Sequence, residues 1–241
     1  MQPTEVMRAT EAIGRIGAAF YFRSETVACG KEAGLDGFRF YVLGRGGVLG
    51  DVESDVVRAA FGYFHPGLVA KMWNSAREVM APRDAARLYI GCAHDLGRAQ
   101  FGDIEGLDGF VDAATQVIGS VEGISMPLFV AVRAEPVPDD TPAAAMHQAM
   151  VLRELRGSVH LLAIAAQALK SEVAHAIRRP DDIAMFGWTE PPEVSDQDHD
   201  KWHDAERLTD ELLDEAYSSL GAEQIDALVS GTEAMAAALG V

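Results

Sequence analysis

Cysteines, aromatic residues and long apolar runs are all scarce in this sequence. Cys29 and Cys92 are the only cysteines among 241 residues, and neither has a partner at the spacing of a zinc site. Free thiols in a reducing compartment are therefore expected. No apolar run reaches the ~20 residues that cross a bilayer, and the N-terminus lacks the basic and apolar segments of a secretory signal. We expect a cytoplasmic protein with no membrane partner.

Basic residues are also few, and the acidic excess is unevenly distributed. The formal net charge is −17, and residues 181–241 carry 16 acidic against two basic side chains. Residues 1–102 are nearly balanced, with 12 basic and 11 acidic side chains. A DNA-binding protein normally presents a basic face to the phosphates, so this balance disfavours DNA as a partner. Four arginines lie on two neighbouring predicted helices: Arg77, Arg83, Arg87 and Arg98. They form either a small basic patch or part of a mixed, solvated helix surface.

Strand signals are rare, and most of the chain has helical spacing of its apolar residues. Phe38–Leu43 alternates aromatic and β-branched residues, and Pro127–Val132 is a second candidate for extended structure. Hydrophobic residues make up 49% of the chain, which suffices for a substantial core. The sequence predicts a mainly α fold, a multi-helix bundle with one small β element.

A long central helix is the clearest single prediction. Thr141 and Pro142 form a cap followed by proline at the first helical position, so a helix should span about 142–170. Its apolar residues recur every three or four positions and cover nearly its whole circumference, which indicates a buried helix. We divide the chain into a helical module at 1–102 and a domain at 103–241 that ends in acidic helices. The two parts can pack as one unit.

A series of glycines, aromatic residues and charged residues runs through most of residues 10–190. Its members are Tyr21, Phe22, Gly34, Leu35, Gly37, Gly44, Arg45, Leu49, Gly50, Val56, Val57, Phe61, Phe64, Pro66, Arg153, Glu154, Arg156, Gly157, His160, Leu161, Glu172 and His175. Together these residues resemble the SalK-like family, a group of mainly actinobacterial proteins whose biochemical role is poorly defined. The resemblance implies a winged-helix-like module at residues 1–102, and it supplies no catalytic residue.

Three basic side chains share a narrow sector of the central helix: Arg153, Arg156 and His160. Buried charges need partners, so this sector predicts either an anionic ligand or carboxylates from a neighbouring helix. Glu154 points to the opposite face of the helix and is not expected to be the partner. With a ligand, the arginines would clamp a carboxylate while His160 serves as hydrogen-bond donor or general acid/base. Without one, His160 is an ordinary core histidine.

Tyr21 is the middle one of three successive aromatic residues, Phe20, Tyr21 and Phe22, on a predicted helix, and Arg23 follows them directly. Neighbouring side chains on a helix point in different directions, so at least one of these rings should leave the main core. It would then line a ligand cavity or a subunit interface, and core packing is the alternative.

Two further motifs have weaker chemical meaning. His199 and His203 stand four residues apart in the acidic run after Ser195, which makes them weak candidates for metal ligands in what we interpret as a solvated acidic connector. The glycine-rich stretch Gly44–Gly50 lacks the spacing of a nucleotide-binding loop and predicts a tight turn or a wing. No metal and no cofactor is implied.

These observations lead to one main hypothesis and two alternatives. The main hypothesis is that the protein is a homodimer that binds a small molecule. The pocket would lie between the module at residues 1–102 and the central helix, and its ligand would be an apolar or aromatic metabolite, with or without a carboxylate. Tyr21, Arg23, Arg153, Arg156 and His160 are its ligand-binding candidates, and a ligand-responsive regulator is the role. The first alternative is a cofactor-independent lyase, isomerase or hydrolase with His160 as catalytic residue. The second is a DNA-binding transcriptional regulator.

Overall fold

The computed structural model describes residues 5–241, and within them the chain forms α-helices and no strand. Residues 1–4, on which the expectation about a secretory signal partly rests, lie outside the described residues. The predicted multi-helix bundle is confirmed. Its helices are α1 (Glu5–Ala18), α2 (Ser24–Glu32), α3 (Gly37–Gly46), α4 (Ser54–Phe61), α5 (Pro66–Arg77), α6 (Pro82–Phe101), α7 (Leu107–Ser120), α8 (Pro127–Arg133), α9 (Thr141–Ala166), α10 (Ser171–Arg178), α11 (Asp196–Tyr217) and α12 (Ala222–Leu239).

The predicted β element is wrong, because both candidate segments are helical. Phe38–Leu43 lies within α3, whose N-cap Asp36 accepts hydrogen bonds from the backbone N–H groups of Phe38 and Arg39 at 3.1 and 2.9 Å. Pro127–Val132 lies within α8, with the proline at the first turn. Phe40, Tyr41, Val42 and Leu43 are all buried. A short apolar run that is buried on several sides has no strict periodicity, so alternation in sequence did not separate strand from helix here.

Helix α9 is the centre of the bundle, as the sequence predicted. Asp140 caps it by accepting a hydrogen bond from the N–H of Ala143 at 3.2 Å, and the helix is buried without interruption from Ala143 to Leu152. It packs against α1, α6, α7, α8 and α11. The main hydrophobic core contains residues from both sides of residue 102. The division of the chain at that residue stays a prediction.

Two helix pairs near the N-terminus have the form of a helix, a four-residue turn and a second helix. The first pair is α2 and α3, and its turn contains Gly34 at φ +82°. The second pair is α4 and α5, and its turn contains Gly62 at φ +80°. Glycine suits both turns because it adopts positive φ without steric cost. The pairs differ in burial, since the run from Phe40 to Gly44 of α3 is buried whereas one face of α5 is open to solvent.

The acidic run after Ser195, which we expected to be a solvated connector, is solvent-exposed but belongs to the first turns of helix α11. Ser195 and Asp198 form a reciprocal capping box, and α11 begins at Asp196. Trp202 and Ala205 of α11 pack against α9 and α10 in a second, smaller core. The chain therefore closes with two packed helices, α11 and α12. None of the helices within residues 5–241 combines the length and the apolar character needed to span a lipid bilayer.

Candidate functional site

Arg153 belongs to a buried ionic network that is centred on Glu154. Arg45 donates two hydrogen bonds to the Glu154 carboxylate, from Nε at 2.9 Å and from a terminal nitrogen at 2.8 Å. Arg153 donates to the same carboxylate at 2.6 Å, and the hydroxyl of Tyr21 donates to it at 3.2 Å. The expectation that Glu154 is no partner of Arg153 is wrong. Both side chains are long enough to converge despite the 100° that separates adjacent positions on a helix.

The electrostatics of this network are dominated by one carboxylate, Glu154, that attracts two guanidinium groups, Arg45 and Arg153. Burial by itself would raise the pKa of Glu154, but the positive charges of Arg45 and Arg153 outweigh it and hold that pKa at about 2. The guanidinium of Arg153 also lies 4.8 Å from the ring centre of Tyr21, and that of Arg45 lies 4.3 Å from the ring centre of Phe61. The void beside the network measures about 10 Å³. That is room for about one water molecule and not for a metabolite.

His160 and Arg156 lie one to two turns further along α9, in a separate cluster. Arg156 pairs with Glu206 of α11 at 3.3 Å. The two ring nitrogens of His160 lie 2.5 Å from the hydroxyl of Tyr63 and 3.2 Å from that of Thr209. Burial, supported by the nearby positive charge of Arg178, lowers the pKa of His160 to about 3. His160 is therefore a neutral, doubly hydrogen-bonded core residue, and its partners differ from those of Arg153.

Arg23 is separated from Tyr21 although the two are close in sequence. We expected the aromatic run to be helical, and this is wrong. Residues 19–23 form the turn between α1 and α2. Tyr21 is buried among the rings of the core. Arg23 points toward Glu25 at 3.9 Å and is partly exposed. A shared aromatic site for this pair stays a prediction.

The two other candidate sites are at the surface. His199 and His203 lie four residues apart on α11 and are both exposed. No group of three or more histidine, cysteine, aspartate or glutamate side chains within residues 5–241 is arranged to hold a metal ion.

The four arginines of the proposed basic patch each contact a carboxylate. The pairs are Arg77 with Asp51 at 3.3 Å, Arg83 with Glu135 at 2.9 Å, Arg87 with Asp84 at 2.9 Å, and Arg98 with Asp140 at 2.8 Å.

The exposed face of α5 is the feature that sequence reasoning missed. One stripe of this helix, Val69, Trp73 and Ala76, is buried, and Trp73 Nε1 donates to the carbonyl of Val52 at 2.9 Å. The opposite stripe exposes Lys71 and Asn74 three residues apart. Neither of these two side chains has a hydrogen-bond or ion-pair partner in the part of the chain that the structure describes. The spacing of the buried residues could have identified this face in the sequence.

The turn between α4 and α5 is held in place by residues that are distant in sequence. The hydroxyl of Tyr63 contacts His160, and its carbonyl accepts a hydrogen bond from Trp188 Nε1 at 2.9 Å. The backbone N–H of His65 donates to the carbonyl of Phe186 at 2.9 Å. These contacts join the turn to α9 and to the segment that follows α10, so the position of α5 depends on packing outside the α4–α5 pair.

The comparison with protein families gives one match. The profile of a family described as a helix-turn-helix family matches residues 6–184, which is most of the chain. No curated protein matches the sequence, and no solved structure matches it either. The match covers both helix pairs with four-residue turns and extends through α10. The chain belongs to this helix-turn-helix family.

Proposed function

We propose that the protein is a DNA-binding regulator in which α5 is the helix that enters the major groove. In a helix-turn-helix unit the second helix contacts base edges, and its partner helix crosses the backbone. The observation that carries the proposal is the solvent-exposed face of α5, which follows a four-residue turn in a chain of helix-turn-helix ancestry. Helix α3 occupies the same position in the first pair, but its burial keeps it out of a groove.

The two exposed side chains of α5 have the chemistry of a base-reading surface. Asparagine can donate to and accept from adenine in the major groove, and lysine contacts guanine or a phosphate. Asn74 and Lys71 are both free for such contacts, because no residue in the described range 5–241 binds their side chains. We infer that Asn74 reads a base and that Lys71 contacts the backbone or a guanine.

The acidity of the chain opposes the approach to DNA at long range. The excess of negative charge on residues 181–241 removes the long-range attraction that steers basic proteins to DNA. Non-specific affinity should therefore be weak, and binding should depend on the few contacts made by α5. We expect a shallow salt dependence, because the slope grows with the number of phosphates that are neutralised.

Selection from random duplexes followed by fluorescence anisotropy across a salt series tests the proposal. Asn74→Ala should cost about 1–3 kcal/mol and relax sequence preference at one position. Lys71→Ala should weaken binding to all duplexes and reduce the salt slope by about 1. Lys170→Ala, which removes an exposed lysine outside the α4–α5 unit, is the matched control and should change neither. Failure to select any duplex, or equal losses in Lys170→Ala and Lys71→Ala, would refute the proposal.

A homodimer is part of the same proposal. Helix-turn-helix regulators commonly bind two half-sites through a twofold axis. The ring of Phe22 supports a contact between copies: it is 54% exposed and packs on the rings of Phe38 and Tyr41. Light scattering on the purified chain should give twice the chain mass, and Phe22→Ser should shift the protein toward monomer. A monomer at all concentrations would exclude the dimer.

Within the helix-turn-helix family we further infer that the chain is SalK-like and acts in the cytoplasm. Four residues from the resemblance, Tyr21, Arg45, Arg153 and Glu154, meet in the buried ionic network. Residues that contact one another in the folded chain identify a family more specifically than glycines that lie apart. An experimental structure of a SalK-like protein with the same four-residue network would support this assignment, and one with a different core at these positions would contradict it.

A further inference from the structure

The two cysteines of the chain are far apart in sequence and are neighbours in the fold. Cys29 lies on α2 and Cys92 on α6, and these two helices pack against each other. The thiol of Cys92 interacts with the thiol of Cys29 and with the hydroxyl of Thr26, which is three residues earlier on the same face of α2. Both cysteines are free thiols that pack against the main core. The fold therefore places two reduced sulfur atoms side by side.

Buried aromatic residues fix the position of α2 against α6. A Cβ atom on Gly30, the residue after Cys29, would lie 2.7 Å from Cδ1 of Phe40, so the backbone of α2 rests directly on this ring. The same ring packs edge-on against Tyr89 of α6, with the ring centres 5.1 Å apart. Tyr89 is three residues before Cys92 and lies on the same face of α6. Phe40 and Tyr89 are both buried, so α2 and α6 have little room to slide and the two thiols stay together.

Both thiols are also within reach of a small reagent, since Cys29 and Cys92 are each partly exposed. Burial, followed by the interaction with Cys29, raises the pKa of Cys92 to about 12. Cys92 therefore stays protonated at neutral pH, and its S–H donates a weak hydrogen bond to the carbonyl of Leu88 at 3.4 Å. Because the thiolate is the nucleophilic form of cysteine, the first sulfur to react with an oxidant should be that of Cys29.

We propose that Cys29 and Cys92 are a redox modification site, at which hydrogen peroxide joins the two sulfur atoms in a reversible disulfide. The sulfur of Cys29 attacks one peroxide oxygen and the O–O bond breaks. The thiol proton leaves with the released hydroxide as water, and Cys29 becomes a sulfenic acid. The sulfur of Cys92 then attacks the sulfur of Cys29, the S–O bond breaks, and the proton of Cys92 leaves with hydroxide as a second water. The thiols lose two electrons, which reduce the peroxide to water.

A dithiol such as dithiothreitol reverses the modification by thiol–disulfide exchange, which restores both thiols and leaves the dithiol as its cyclic disulfide. Inside a reducing compartment such a bond is transient and forms when an oxidant is present.

The disulfide would enclose the part of the chain that contains both helix pairs with four-residue turns. The closed loop runs from Cys29 to Cys92 and includes α3, α4 and α5. A cross-link around a long loop restricts the unfolded chain, and α2 and α6 are already packed together in the folded chain. The oxidised protein should therefore resist unfolding better than the reduced protein. This consequence does not depend on DNA binding.

Thiol counting and peptide mapping of the full chain test the site. After treatment with hydrogen peroxide at pH 7, iodoacetamide should label neither cysteine, and a cross-linked peptide containing Cys29 and Cys92 should be detected. Dithiothreitol should restore both labels. In Cys92→Ser the reaction should stop at a sulfenic acid on Cys29, which dimedone traps. In Cys29→Ser the remaining thiol should react with peroxide at least about tenfold more slowly than the thiol of Cys92→Ser.

Urea unfolding measures the consequence of the cross-link. Peroxide should raise the urea midpoint of the native chain and leave that of Cys29→Ser unchanged, which separates the disulfide from methionine oxidation.

Four outcomes would overturn the inference. Two thiols that still react with iodoacetamide after peroxide treatment, or a disulfide that joins two chains instead of two helices of one chain, would refute the site. Dimedone labelling of Cys92 in preference to Cys29 would refute the order of the steps. A urea midpoint that is the same for the oxidised and reduced chains would refute the stabilising cross-link.

Discussion

Replacement of Glu154 by glutamine should destabilise the protein far more than the loss of an ordinary surface charge. Glutamine keeps the shape of the side chain and one acceptor oxygen. It removes the carboxylate that binds both Arg45 and Arg153, leaving two guanidinium groups close together in a buried site. Glu154 and Arg45 are 3% and 10% exposed at their side chains, so solvent can do little to screen the remaining charges.

The magnitude follows from the pKa of this carboxyl. Folding lowers it from 4.5 to about 2. At 1.36 kcal/mol for each pH unit, the charged form contributes about 3 kcal/mol to the free energy of unfolding at neutral pH. Removal of one member of a buried ion pair costs a similar amount, about 3–5 kcal/mol. Because the folded pKa is depressed, this contribution is present above about pH 4.5 and is lost as the pH falls toward 2.

Urea unfolding at pH 7, followed by tryptophan fluorescence and far-ultraviolet circular dichroism, measures the effect. We expect Glu154→Gln to lower the free energy of unfolding by about 3–5 kcal/mol. Glu211→Gln is the matched control: Glu211 pairs with Arg207 on the surface of α11, where both side chains are more than half exposed, and should cost less than about 1 kcal/mol. Equal costs for the two variants would refute the view that the network stabilises the core through charge.

Two further predictions concern the histidine pair and the turn. His147 is fully buried and contacts His94 at 3.0 Å, and burial lowers its pKa from 6.5 to about 4; the folded state therefore loses about 3 kcal/mol of stability as the pH falls from 6.5 to 4. His147→Gln should flatten this part of the unfolding profile, and an equally steep loss in the variant would contradict the assignment. Gly62→Ala should destabilise the protein by at least about 1 kcal/mol more than Gly106→Ala in urea unfolding. Both glycines have φ near +80°, but the added Cβ collides with Leu161 only at Gly62; equal costs would show that the turn has room to relax.

Most helix boundaries could be predicted because they depend on local chemistry. Thr141 and Pro142 predicted the start of α9 correctly, although Asp140 and not Thr141 is its cap. Pro82 marks the start of α6, and Pro66 opens α5. Caps and prolines act on backbone groups within a few residues, so the sequence contains the whole signal. The helix at Phe38–Leu43 escaped prediction because its aromatic and β-branched residues are buried on several sides, and this burial is a property of the neighbouring helices.

The candidate site was less predictable than the fold because its contacts join distant residues. The arginines and histidine of α9 were identified correctly as charged or polar groups in need of partners. Their partners were not, since Arg45 is 109 residues from Glu154 and Tyr63 is 97 residues from His160. We did not expect Glu154 to be the partner of Arg153, because the angle between two positions on a helix fixes the directions of the Cβ atoms. It does not fix the positions of the charged groups at the ends of long side chains.

The amino-acid order by itself determined an acidic, helical chain with a buried central helix, because composition, caps and apolar spacing act locally. Only the tertiary structure decided which charges pair with one another and which of the two helix pairs leaves one face of its second helix exposed to solvent. These features depend on the distance between elements that are far apart in the chain. Packing of the whole bundle sets that distance, and no local pattern of residues specifies it.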